Sequence, residues 1–266
     1  MLSIEEIKLL IEKLEKVKKE DLQKLINSNL AILKDIEMAV DANNQEEINR
    51  LDKTVDWYRI DVEKKRERPI VDDWLYRTIQ SKIQTFAKHS GMYNSIEIGP
   101  GTGMFSKEFR GWRINYFLDI LSELEEKIRR RFQPAHQPLL RYYVTDRTDC
   151  SKVPKGSTNF VFSWDTFVFF TQEHIKQYLI DIFKVLIPGG HCFIQYADCH
   201  FDYDLREAQR GYWNYNTKTI MEKIIKDAGY EVIQMDQFRP GANFAIFKKP
   251  GNQNPVVYEI DRITID

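Results

Sequence analysis

The chain has 266 residues, of which 42% are hydrophobic and 30% charged, and its 39 Lys and Arg against 40 Asp and Glu leave a formal net charge of -1. Enough apolar material is present for a sizeable core, while the even charge balance excludes a global basic field for nucleic acid and an acidic, disordered character. No apolar run is long enough to span a membrane, and the charge-interrupted start MLSIEEIKLLIEKLEKVKKE does not read as a signal peptide. The scattered Cys150, Cys192 and Cys199 fit reduced thiols in a cytoplasmic protein. Cys192 and Cys199 with His191 and His200 are not read as a metal site, because Cys192 falls inside an apolar strand pattern and the C-x6-C spacing is uncommon for zinc.

Residues 1–67 are expected to be a helical appendage. Ile4, Ile7, Leu10, Ile11, Leu14 and Val17 recur at three- and four-residue steps, and no Gly or Pro precedes Pro69. Such a stripe suits either packing on a main domain or a hairpin that pairs two copies into a homo-dimer. Trp57 and Tyr58 are adjacent aromatics there. A charged hinge, Glu63–Pro69, leads into a main domain at 68–250, and 251–266 forms a C-terminal tail.

From there strands and helices alternate. A helix is expected over 72–90, a strand at Ser95–Ile98, a glycine loop, and a helix from about Met104. INYFLDI (114–120) is a second strand, followed by the helix SELEEKIRRRF. YYVTD (142–146) and NFVFSWD (159–165) are the third and fourth strands. A helix covers 172–186, Pro188-Gly189-Gly190 turns into the strand HCFIQYA, a helix covers 217–228, and YEVIQMDQF and NFAIFKK close the series. This alternation predicts an α/β fold with a mainly parallel sheet covered on both faces.

The most informative stretch is Glu97-Ile98-Gly99-Pro100-Gly101-Thr102-Gly103, which leaves an apolar strand. Glycines let a backbone turn sharply and approach a ligand where a Cβ would collide. The spacing is G-x-G-x-G, not the G-x-G-x-x-G of pyrophosphate-binding turns. Glu97, Asp119 and Asp146 lie at or near the ends of successive strands. Such a rim tolerates a cationic ligand and repels a pyrophosphate. Asp119 could accept from ribose hydroxyls and Asp146 from an adenine amino group, although either could instead be a turn or cap residue.

IEIGPGTG, FLDI, YVTD, FVFSWD and LIPGGHCFIQY, in that order, resemble the successive motifs of class I S-adenosylmethionine-dependent methyltransferases. That resemblance implies a Rossmann-like, mainly parallel sheet with a terminal antiparallel strand pair, and S-adenosyl-L-methionine as cofactor. It implies that Gly99, Gly101 and Gly103, after Glu97, hold the methionine part, Asp119 the ribose and Asp146 the adenine. Ile120 and Arg147 would flank the adenine ring, and Ser163 and Trp164 would line the pocket after the fourth strand. Trp164 is equally compatible with the core.

The stretch from Phe160 to Asp198 also resembles sugar O-methyltransferases of surface-glycan (polysaccharide) biosynthesis, with Phe169 where those proteins tend to carry a histidine. The resemblance implies sugar O-methylation. A hydroxyl acceptor benefits from a base, and Asp165, then His200 or Asp198, stand at strand ends that should face the pocket. DCHFDYDLREAQRGYWNYN (198–216) reads as a long polar and aromatic loop whose Arg206, Arg210, Tyr212, Trp213 and Tyr215 suit a sugar or a nucleotide-linked sugar. The expected partner is thus a small-molecule acceptor. Nucleic acid is disfavoured, since the amino-methylase motif after the fourth strand is missing and the chain is not basic. Methyl transfer to another small molecule or to a protein, or a non-catalytic cofactor-binding assembly module, are the alternatives.

Overall fold

The computed structural model describes residues 71–86, 93–145 and 148–251. The expectations for the appendage 1–67, the tail from 252 onward, and Asp146 and Arg147 lie outside the described residues. In chain order the elements are α1 (Asp73–Phe86), β1 (Asn94–Ile98), β2 (Ile114–Asp119), α2 (Glu125–Arg129), β3 (Leu140–Val144), β4 (Thr158–Ser163), α3 (Gln172–Val185), β5 (Leu186–Tyr196), α4 (Asp202–Gln209), α5 (Lys218–Asp227), β6 (Glu231–Gln237) and β7 (Asn243–Lys248).

Seven strands form one sheet in the order β3-β2-β1-β4-β5-β7-β6. The first five are parallel, and β7 runs antiparallel between β5 and β6. This is the mainly parallel sheet that the alternating elements imply and the Rossmann-like form, with its closing antiparallel pair, that the resemblance implies. β1 and β4 are buried along their whole length, as central parallel strands covered on two faces must be. Residues alternate between those faces. Ile96, Ile98, Val161, Cys192 and Ile194 meet Ile175, Leu179 and Ile182 of α3 and Met221 and Ile225 of α5. Phe160, Phe162, Phe193 and Phe244 face Leu75, Ile79 and Ile83 of α1 with Phe105, Phe109 and Trp112. Among the described residues no helix is long and apolar enough to cross a membrane.

Several elements differ from the periodicity reading. The helix expected from Met104 is a single 3-10 turn, Ser106–Phe109, because Phe105, Phe109 and Trp112 all turn into the core and Gly111 interrupts before a second turn can build. The loop expected over 198–216 contains α4. Its apolar residues are few, so no stripe betrays it. Pro188-Gly189-Gly190 does not precede the fifth strand but lies within β5, where the register against β4 jumps from Thr158↔Leu186 to Phe160↔His191. The glycines accommodate a bulge there: Gly189 has φ +75°. Thr171 and Thr217 cap α3 and α5 by accepting the N–H of His174 and Ile220.

Candidate active site

The chain proceeds outward from β1 to β3 and then returns to place β4 against β1's other edge. The carboxyl ends of β1 and β4 therefore flank the point where the strand order reverses, which is where open α/β sheets form their binding crevice. Two loops meet there, Gly99–Gly103 after β1 and Trp164–Thr166 after β4.

Gly99, Gly101 and Gly103 have φ of +64°, +55° and +80°, a left-handed backbone that side chains disfavour. At Gly99 the absence of a Cβ is also a packing requirement: one built there would lie 2.0 Å from Thr166 Oγ1. Thr166, which the sequence pattern did not single out, thus seals the β1 loop against the β4 loop, its hydroxyl lying 3.4 Å from the carbonyls of Ile98 and Gly99. Ser163 is fully buried and donates to the Ile98 carbonyl at 2.9 Å.

Two acids of the expected rim stand beside this loop. Asp119 ends β2, with Oδ1 accepting the N–H groups of Ile120 (2.7 Å) and Leu121 (3.1 Å). Its Oδ2 has only a long contact from the Gly101 N–H, 3.4 Å. Burial raises its carboxyl to about 6 against the lowering effect of those amides. Glu97 is further inside, on the same face as Phe162, its register partner. Ser106 donates to it at 2.6 Å, but burial dominates and raises it to about 8, with the Asp119 charge adding to the rise. Burial thus favours the protonated form of Glu97 in the ligand-free protein.

The turn after β4 holds the sharpest local anomaly. Asp165 has φ +54°, the one left-handed residue other than glycine among those described. Such a conformation costs on the order of 1 kcal/mol or more and concentrates at functional positions. Its backbone N–H donates to Gln195 Oε1. Among the described residues its carboxylate has no hydrogen-bonding partner, and burial alone raises it to about 6. Trp164 beside it is 7% exposed and packs on Phe105, Phe193 and Phe238. Of its two readings, core packing is the one its surroundings support.

His200 and Asp198 face each other. Asp198 Oδ1 lies 3.0 Å from His200 Nδ1 and accepts the His200 backbone N–H at 3.2 Å. Burial would raise Asp198, but hydrogen bonds from the His200 side chain and from the backbone of His200 and Lys218 outweigh it and hold the carboxyl below its ordinary value. Asp198 is thus committed to its neighbours. His200 is largely exposed. Of the three expected base candidates, Asp165 alone combines strain, partial burial and an uncommitted carboxylate.

Behind Asp165 lies a network that the sequence did not reveal. Buried Gln195 of β5 donates from Nε2 to the Gly241 carbonyl at 2.8 Å. Gly241, in the β6–β7 turn, donates its N–H to Asp204 Oδ1 of α4 at 3.1 Å. Asp204 Oδ2 accepts from the Asp198 N–H at 2.7 Å and from Asn243, and burial raises its carboxyl to about 6. Tyr203 lies against Gly241, where a Cβ would come within 2.5 Å of its ring, and meets Trp213 edge-on at 5.8 Å. The one available signal was a glutamine among the apolar residues of CFIQYA. Among the described residues no group of three His, Cys, Asp or Glu is placed to hold a metal.

A family model described as a methyltransferase domain matches residues 71–235. No curated protein matches the sequence. Among solved structures, the N-methyltransferase NodS of Bradyrhizobium japonicum, in complex with S-adenosyl-L-homocysteine, superimposes with a TM-score of 0.58 at 15% identity, over 74% of this chain and 99% of that one. The geranyl diphosphate C-methyltransferase of Streptomyces coelicolor, in complex with magnesium, geranyl diphosphate and S-adenosyl-L-homocysteine, gives 0.54 at 9% identity, over 65% and 76%. An O-methyltransferase family protein of Burkholderia thailandensis gives 0.53 at 12% identity, over 68% and 59%.

Proposed function

We propose roles and an acceptor for the site on the premise that this chain belongs to the methyltransferase-domain family, as a class I S-adenosylmethionine-dependent methyltransferase. The acceptor group is a hydroxyl, on a sugar or a sugar-linked small molecule. The observation that carries the hydroxyl is Asp165: a part-buried carboxylate with no hydrogen-bonding partner among the described residues, in a left-handed turn beside the loop that needs bare glycines.

The residues present fit an adenosyl sulfonium. The left-handed Gly99–Gly103 loop exposes backbone without side chains to hold the amino-acid part, and Asp119 Oδ2, barely engaged by Gly101, is free to accept from ribose hydroxyls. Ile120 would flank the adenine ring with Arg147, and Asp146 would accept from its amino group. Ser163 and Trp164 support the pocket wall from behind. Among the described residues no positive group is paired with the buried Asp119, a deficit that a cationic ligand relieves.

When bound, S-adenosylmethionine supplies a methyl group on a positively charged sulfur. Asp165 accepts the hydrogen bond of the acceptor hydroxyl, orients its lone pair for in-line attack and takes its proton as the new bond forms. A carboxyl near 6 is mostly ionised at neutral pH yet basic enough for that task. Tyr203 and Trp213 offer aromatic faces next to Asp165 for the apolar side of a sugar ring, with Arg206 and Arg210 of the same segment able to serve a phosphorylated carrier.

The test has two parts. Calorimetry should show binding of S-adenosylhomocysteine and none of NAD. Radiolabelled methyl transfer should then be screened over nucleotide sugars, free sugars, amines and prenyl diphosphates. Transfer to sugar hydroxyls, lowered about a hundred- to ten-thousand-fold by Asp165→Asn, is the expected result. Transfer confined to amines or to carbon overturns the acceptor assignment while leaving the family intact.

A further inference from the structure

We propose that Gln195 is a positioning residue that clamps Asp165 in its left-handed turn and ties that turn to the α4 segment on the acceptor side. The proposal rests on reading Asp165 as the group that serves the acceptor, but the clamp itself is a separate structural claim.

Three observations converge on it. Asp165 departs from ordinary backbone geometry, and its φ of +54° places a non-glycine residue where something must hold it. Its backbone N–H donates to a side chain, Gln195 Oε1, and not to the backbone of a neighbouring strand. Gln195 also uses its other end: Nε2 donates to the Gly241 carbonyl at 2.8 Å, so both halves of the amide are engaged and its orientation is fixed. The side chain is 3% exposed, at the end of a strand otherwise filled with Phe193, Ile194 and Tyr196. Burying a glutamine there is costly unless each polar atom is matched, as these are.

The clamp has reach. Gly241 carries it to Asp204 Oδ1, and Asp204 Oδ2 carries it to the Asp198 N–H, at the start of the segment that holds α4. Tyr203 rests on the same Gly241. The proton-accepting turn and the proposed acceptor wall are thus fastened to one another through one amide side chain. Asp165 can then meet a hydroxyl held by Tyr203 and Trp213 without first ordering itself.

The chemistry of residue 195 yields distinct variants. Gln195→Met keeps length and removes both hydrogen bonds. Gln195→Glu keeps an acceptor for the Asp165 N–H but cannot, when ionised, donate to Gly241. Amide hydrogen exchange on the full chain, resolved to short peptides, reads both ends. In Gln195→Met, exchange over 164–168 is expected to rise about tenfold or more, the factor supplied by the lost bond on the Asp165 N–H, and exchange over 239–242 to rise by less, since the bond lost there is on the Gly241 carbonyl and loosens the turn without freeing an N–H. S-adenosylhomocysteine affinity, measured by calorimetry, should fall by less than methyl transfer does, since Gln195 reaches the glycine loop only through Thr166. In Gln195→Glu, 164–168 should stay slow while 239–242 speeds up. A Gln195→Met protein whose Asp165 amide remains slow overturns the clamp, as does exchange that rises throughout the sheet, the mark of a merely structural glutamine. Should Gln195→Met not fold, the split between the two segments in Gln195→Glu decides. Asp165→Asn keeps the backbone N–H and tolerates the left-handed turn. Exchange that stays slow in it while methyl transfer to sugar probes is unchanged removes Asp165 from the chemistry and leaves the clamp standing.

Discussion

Asp165 and Asp119 show how a single side chain can be read for strain and for vacancy. Asp165 holds a left-handed conformation that glycine adopts without steric cost. Asp165→Gly should therefore exceed Asp165→Ala in stability by about 1 kcal/mol in urea unfolding, since alanine keeps the Cβ that strains the turn. Equal stability of the two variants would mean that the turn stores no strain. For Asp119 the open valence is at Oδ2, which has only a 3.4 Å contact from Gly101. Asp119→Ala should weaken S-adenosylhomocysteine binding by about 1–3 kcal/mol in calorimetry, the range for hydrogen bonds to a charged acceptor. A folded variant with unchanged affinity would reduce Asp119 to its bonds with Ile120 and Leu121.

At the scale of elements, no apolar residue of α4 is buried. Asp204 is the buried residue of its eight, and is fully so. What anchors the helix at that point is polar: Asp204 accepts from the Asp198 N–H, the Gly241 N–H and Asn243. Asp204→Ala removes the acceptor of the buried Asp198 N–H and the part-buried Gly241 N–H, leaves the Asn243 amide a 3.5 Å contact with the Tyr196 carbonyl, and should cost about 2–3 kcal/mol. The loss should be local. Limited proteolysis is expected to cut within 198–216 in Asp204→Ala while the parent resists, with S-adenosylhomocysteine affinity retained. Cleavage elsewhere first, or a variant as resistant as the parent, would show that α4 is held by its aromatic contacts instead.

For the whole molecule, the buried carboxyls combine into one pH dependence. Glu97 rises to about 8, and Asp119, Asp165 and Asp204 to about 6, each chiefly through burial. A carboxyl that binds its proton more tightly folded than unfolded adds stability below its unfolded value, and loses it as pH rises through the folded value. Asp198 and Asp72 shift the opposite way and favour the fold above the ordinary carboxylate range. Their contribution is complete well before Glu97 titrates. The ligand-free protein should therefore melt at a lower temperature at about pH 8 than at about pH 6, and Glu97→Gln should flatten that decline. A melting temperature that climbs over this interval, or a Glu97→Gln profile parallel to the parent's, would contradict the protonated state assigned to Glu97.

The sequence by itself determined the alternation of strands and helices, the mainly parallel sheet and the glycine loop after its first strand, whereas the antiparallel closing pair was implied only by the family resemblance and α4 was read as loop. The former follow from local signals: apolar runs such as FVF and CFIQ, the breakers around them, and glycines where φ must be positive. Asp165 was legible as a residue that follows a strand, but its strain was not, since φ is set by the turn's packing. Tertiary structure alone decided the burial of Glu97 beside Phe162, its register partner on β4, and it is that burial which raises its carboxyl. It also decided that Asp198 is spoken for, and that Gln195, Gly241 and Asp204 stand behind Asp165. Those three come from β5, the β6–β7 turn and α4, 46 and 37 residues apart along the chain in their two bonds. No periodicity records such a meeting: a hydrogen bond between distant segments exists only once the sheet has brought β5 and β7 side by side.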